Sequence, residues 1–120
     1  MSVVVFGSIN LDLVVEVPHL PIRGETVIGN RFFTATGGKA ANQAVAVAKL
    51  GMPVYSVGRV GNDSFGQVLL ENLKFAGVDT RGVTIDPNTH SGVASIVIDN
   101  RGDNAIACAE EQTTKLENKN

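Results

Sequence analysis

The sequence predicts an α/β protein, a parallel sheet with flanking helices plus a smaller β appendage. Two short, continuous apolar runs, Val3–Phe6 and residues 54–60, have the composition of strands buried on both faces, as in the middle of a parallel sheet. Two segments behind glycine-containing turns, at Gly37-Gly38 and at Gly61, carry apolar residues at helical spacing. Strand–helix alternation of this kind specifies a parallel sheet. The exposed β runs that follow Gly7 and Gly92 stand outside that alternation and suit a second, smaller sheet.

Taken in order, the first strand ends at Gly7, and Gly7-Ser8-Ile9-Asn10 breaks the run. Along 11–17, Leu11, Leu13, Val15 and Val17 share one side while Asp12 and Glu16 take the other, which makes a half-exposed strand. Pro18 and Pro21 end it, because proline removes a ladder donor. After the turn Arg23-Gly24-Glu25, residues 26–35 are β-rich again, interrupted at Gly29-Asn30.

The glycine pair then opens a helix in which Ala41, Ala44, Val45 and Ala48 recur on one face, small enough to pack closely on a sheet. Gly51 suits its C-terminal cap and Pro53 prevents continuation. Beyond 54–60, Gly61-Asn62-Asp63-Ser64 turns into a second helix. Ser64 and Gln67 have capping-box spacing, Phe65, Val68, Leu69, Leu73 and Ala76 form its apolar stripe, and Gly77 closes it. A run at 82–86 and the turn Pro87-Asn88 lead to β runs at 92–99 and 104–109. These flank Asn100-Arg101-Gly102-Asp103, a hairpin signal. Residues 110–120 hold one apolar side chain and read as a solvated or disordered tail, separate from a unit spanning 1–109.

With 120 residues the chain has room for one domain, and 43% hydrophobic against 18% charged residues excludes a disordered chain. A net charge of −2 with no Lys/Arg cluster argues against nucleic-acid binding. The single Cys108 cannot form an internal disulfide. The apolar start lacks a basic n-region, and no apolar run is long enough to span a bilayer, so a cytoplasmic protein without membrane contact is expected.

The chemistry centres on Thr36-Gly37-Gly38-Lys39-Ala40-Ala41-Asn42. Glycines let a ligand approach bare backbone N–H groups, and a helix N-terminus is partly positive. An oxygen-rich ligand can sit there, although a Gly-Gly pair also serves as a plain structural turn. A Walker A loop is excluded: Phe33 stands where its first glycine belongs and Ala40 where the Mg²⁺-binding hydroxyl belongs. Residues 58–66 do not read as GxGxxG, which argues against a dinucleotide site. Asn10 and Asp12, two apart on a strand, point to one face and offer donors and acceptors for vicinal hydroxyls; a turn Asn and a solvated Asp are the plain alternative. Asn42 is a poor helix residue unless its side chain has a task, and Lys39 could face an anion or only solvent. His19 and His90 lack partners at metal spacing, and Cys108 suits core or pocket lining better than a nucleophile.

In their joint order, Gly-Ser-Ile-Asn-Leu-Asp at 7–12, Pro21 with Gly24-Glu25-Thr26, GGKAANQA at 37–44 and GRVGNDSFG at 58–66 resemble the N-terminal part of the ribokinase-like PfkB carbohydrate kinases. The resemblance runs from about residue 3 to about residue 107. It implies a partial Rossmann-like ribokinase fold whose appended strands, near 11–17, 26–35, 92–99 and 104–109, form a β lid over the sugar and pair with a second subunit as a homodimer. It implies ATP-dependent phosphorylation of ribose to ribose 5-phosphate. Asn10, Asp12, Gly38, Lys39 and Asn42 match sugar-binding positions, and Ala94, Ile96 and Cys108 fall where the lid touches the sugar. ATP, Mg and possibly K belong to the full-length family; its nucleotide site and catalytic aspartate lie in a C-terminal half that finds no match here, and none of these cofactors is expected on this chain alone. Ala109 is followed by Glu110-Glu111-Gln112 where members continue into further β/α units, so truncation and inactivity in isolation are expected. The alternative is a non-catalytic sugar-binding or dimerisation lid module.

Overall fold

A computed structural model describes residues 2–110; the tail expected at 110–120 lies outside the described residues except for Glu110. Among the described residues the order is β1 (Val3–Phe6), β2 (Asn10–Glu16), β3 (Arg31–Gly37), α1 (Lys39–Lys49), β4 (Val54–Gly61), α2 (Ser64–Phe75), β5 (Asp79–Asp86), β6 (Gly92–Ile98) and β7 (Asn104–Ala109). They build two sheets. The first is parallel, in the order β1-β4-β5. The second is mixed, in the order β3-β2-β6-β7, with β2 parallel to β6 and antiparallel to β3. The chain leaves the first sheet at Gly7, crosses to the second for β2 and β3, and returns through Gly37-Gly38 into α1.

The core lies between the parallel sheet and the two helices. Right-handed crossovers that move one way across a sheet put successive helices on the same face. Ala40, Ala41 and Ala44 of α1 and Leu69 and Leu73 of α2 are buried there with Val5, Val54, Val60 and Val78. Ile9 and Leu11 extend this core to the second sheet, which rests its Leu11 face on the helix side. Each such valine, leucine or isoleucine side chain contributes about 1.5–3 kcal/mol on burial.

Several expectations are corrected. β1 is not an interior strand: it pairs only with β4 among the described residues, and Val4 and Phe6 are 49% and 72% exposed. Its apolar composition does not specify how many neighbours it has. The strand expected at 26–35 begins only at Arg31, because Gly29 packs against Val15 and Asn30 N–H bonds the Glu16 carbonyl at 2.9 Å, a loop contact that precedes the ladder. Ser64 is not the cap of α2. Asp63 is, its carboxylate accepting from Gly66 N–H at 2.8 Å, and the Ser64–Gln67 spacing is one residue too late.

Candidate functional site

Strand register assembles the site. Residues paired across neighbouring strands project from the same face. Asn10 lies between Gly37 and Gly92, and Asp12 between Ala35 and Ala94, with Cys108 beyond Ala94. Val14 follows between Phe33 and Ile96. One face of the second sheet therefore carries Asn10, Asp12, Ala94, Ile96 and Cys108 together. The opposite face carries Leu11 and Thr36 and turns toward α2, where Asn72 Nδ2 donates to Thr36 Oγ1 at 2.8 Å.

The row is shaped so that small residues surround two polar ones. A Cβ on Gly37 would stand 2.5 Å from Asp12 Oδ1, and one on Gly92 would collide with Asn10 Oδ1. The glycines exist to admit these side chains. Asn10 and Asp12 are half-buried, and among the described residues neither side chain has a hydrogen-bond partner. Burial pushes the Asp12 carboxyl above its ordinary value. A half-buried carboxylate beside an amide, both unpartnered, has the donors and acceptors that a ligand with adjacent hydroxyls needs. Its place also fits: Asn10 lies just beyond the carboxyl end of parallel strand β1, where ligands of open α/β sheets bind.

Gly38 caps α1 with φ 91°, and a Cβ there would stand 2.5 Å from the Ser8 carbonyl oxygen. This residue has to be glycine for the turn to close. It lies next to Gly37, the strand partner of Asn10, so the partly positive start of α1 adjoins the polar row. Lys39 is the first helical residue and is exposed. Asn42 is exposed as well and borders a different concavity, the open groove between α1 and α2 that Thr36, Asn72 and Phe75 also line. The first helical turn, with Ala40 and Ala41 buried, carries Asn42 to that side. The structure thus gathers Asn10, Asp12, Ala94, Ile96 and Cys108 on one face and sets Gly38 and Lys39 at its end. Cys108 is exposed on β7.

Gly92 and Phe33 were not among the expected site residues. A glycine inside a strand marks a close approach, and that signal at Gly92 was available; Phe33 depends on the register of β3 and had none. His19 pairs with Glu25 at 3.0 Å, far from any ligand role. The described residues do not fit a nucleotide and its metal. The glycine loop lacks a hydroxyl after Lys39, and no group of three or more His, Cys, Asp or Glu is placed to hold an ion among them.

Comparison with known proteins agrees with this fold. The sequence profile described as pfkB family carbohydrate kinase matches residues 1–120. The chain is 49% identical over 105 residues to the ribokinase of Bacillus subtilis, covering 88% of this chain and 36% of that protein. It is 45% identical over 105 residues to the ribokinase of Mus musculus, covering 88% of this chain and 32% of that one. Among solved structures, a putative ribokinase from Agrobacterium tumefaciens superposes with a TM-score of 0.85 at 31% identity, over 92% of this chain and 36% of the other. The Arabidopsis thaliana ribokinase complexed with ribose and ATP superposes with a TM-score of 0.80 at 39% identity, over 89% of this chain and 35% of that one. The chain thus spans only about a third of the length of these relatives, 32–36%.

Proposed function

The chain belongs to the pfkB family of carbohydrate kinases, and from that premise we propose that it forms the sugar-binding part of a ribokinase-type enzyme, whose reaction is ATP-dependent phosphorylation of ribose to ribose 5-phosphate. The observation that carries this reading is the unpartnered Asn10–Asp12 pair on its glycine and alanine floor. Asp12 accepts from two neighbouring sugar hydroxyls, and Asn10 donates to one and accepts from another. Ala94 and Ile96 lie against the apolar face of the ring, with Cys108 at its margin. Gly38 and Lys39 close the end of the site from the start of α1, and Asn42, in the first turn of the same helix, adds a further polar contact to the sugar.

The phosphoryl-transfer step is assigned to none of these residues. ATP supplies the phosphoryl group in the whole enzyme, with Mg and K as its ions, and the chain's share is to hold and orient the acceptor. Asp63 is committed to three hydrogen bonds and cannot act as a base. The chain alone is accordingly expected to show no turnover with ATP and ribose. Exposure of every β7 residue favours a second role for the lid sheet, pairing with another subunit as a homodimer. The enzyme is expected to be cytoplasmic.

Calorimetric titration with ribose tests the sugar site. Asp12→Asn removes a charged acceptor worth about 1.5–3 kcal/mol, so affinity falls about 10- to 100-fold. Undetectable binding to the unaltered chain, or equal binding by Asp12→Asn, overturns the assignment, and phosphorylation by the isolated chain overturns the division of labour.

A further inference from the structure

The spacing of the GRVGNDSFG segment is specific, and the structure gives the reason. Three of its residues converge on one buried residue, Ser91, which precedes β6. Gly61 N–H donates to Ser91 Oγ at 2.9 Å. Asp63 Oδ2 accepts from Ser91 N–H at 2.9 Å, and Asp63 Oδ1 accepts from Ser91 Oγ–H at 2.7 Å. A Cβ on Gly66 would stand 3.1 Å from Ser91 Oγ, and one on Gly61 would collide with Ser91 N. Ser91 is fully buried, and every polar atom of its side chain and its N–H is used here.

The next residue along the chain is Gly92, the β6 partner of Asn10, and Asn10 Oδ1 occupies the space where its side chain would be. Ala94 and Ile96 follow on the same face. We infer that Asp63 is a positioning residue that latches Ser91 and thereby sets β6 against Asn10 on the sugar face. The latch joins the parallel sheet and α2 to the second sheet at the one place where a small shift of β6 alters the receptor. It deepens the sugar-site reading above and rests on it only for the identity of the ligand.

Asp63 also caps α2, so the two roles need separate variants. Asp63→Asn keeps an oxygen for Gly66 N–H but presents an amide group to Ser91 N–H, two donors facing each other. Ser91→Ala leaves the cap intact and removes the hydroxyl links to Asp63 and Gly61. Hydrogen exchange on the 120-residue chain, read by NMR, is expected to be at least fivefold faster at the amides of β6 in both variants, with α2 unchanged in Ser91→Ala. The Asn10 side-chain amide cross-peaks move in both, while a core variant of matched stability, Val83→Ala, leaves them in place. In the titration with ribose, both latch variants bind at least fivefold more weakly. If β6 exchange is unchanged in both variants, or Val83→Ala moves the Asn10 peaks as far, the latch is refuted. If the unaltered chain binds no ribose while exchange and cross-peaks respond as stated, the sugar assignment fails and the latch stands.

Discussion

Asp12 shows how a half-buried, unpartnered carboxylate can cost the fold. Burial raises its carboxyl above 3.8, and among the described residues no donor offsets this. Between the ordinary value and the raised one the folded chain binds more protons than the unfolded chain, so stability falls as pH rises through that window. At neutral pH the charge is a net cost. Asp12→Asn, proposed above to weaken ribose binding, is therefore expected to melt at the same temperature or higher at pH 7, and thermal unfolding beside the titration checks this. A lower melting temperature would mean that the carboxylate has a stabilising partner. Ser56 is a second case, without any binding role in view. Its hydroxyl is buried in β4 with no partner among the described residues, on the Val5 side that faces α1. Leaving such a group unsatisfied costs about 1–3 kcal/mol. Ser56→Ala should raise the free energy of unfolding by roughly 1 kcal/mol in urea titration, and a loss of stability would show that the hydroxyl is satisfied in solution.

At the scale of elements, the turn into α1 carries the clearest constraint. Gly38 combines a left-handed φ of 91° with contact to the Ser8 carbonyl, whereas Gly24 has φ 79° and open space around it. Both Gly→Ala changes incur the roughly 1–2 kcal/mol of left-handed backbone; only Gly38→Ala adds the clash. Urea unfolding should find Gly38→Ala the more destabilising by at least about 1 kcal/mol, and equal losses would remove the Ser8 contact from the account. The same turn marks what was legible in the sequence. Periodicity and glycine punctuation located both helices, and the two-residue repeat put Asn10 and Asp12 on one face, because those signals are local. The cap of α2 was not legible: Asp63 and Ser64 are both good caps, and the choice is fixed by Ser91, far away in sequence. The floor under Asn10 and Asp12 needed the register of three strands, which no local pattern encodes.

At the scale of the molecule, shape and exposure point the same way. The radius of gyration is 16.0 Å, against about 13 Å for a compact domain of 100 residues. Two sheets lie side by side, and the helices cover one face of the parallel sheet only. Its other face presents Val4 beside Tyr55 and Phe6 beside Val57, as their pairing dictates. An open groove runs along β1, lined by Val3–Phe6 with Gln43, Ala46 and Val47. Parallel sheets are ordinarily covered on both faces, and an unpaired apolar strand edge invites association. Val4 and Phe6 are too exposed to contribute much to the fold, so charging them should leave stability within about 0.5 kcal/mol. The unaltered chain is expected to self-associate at about 100 μM, and the Val4→Lys, Phe6→Lys double variant to shift sedimentation toward the monomer with its circular dichroism unchanged. A monomeric unaltered chain at that concentration would sink the argument. Association that survives the double variant would instead move the contact to the other exposed strands, β3 and β7, at the edges of the second sheet.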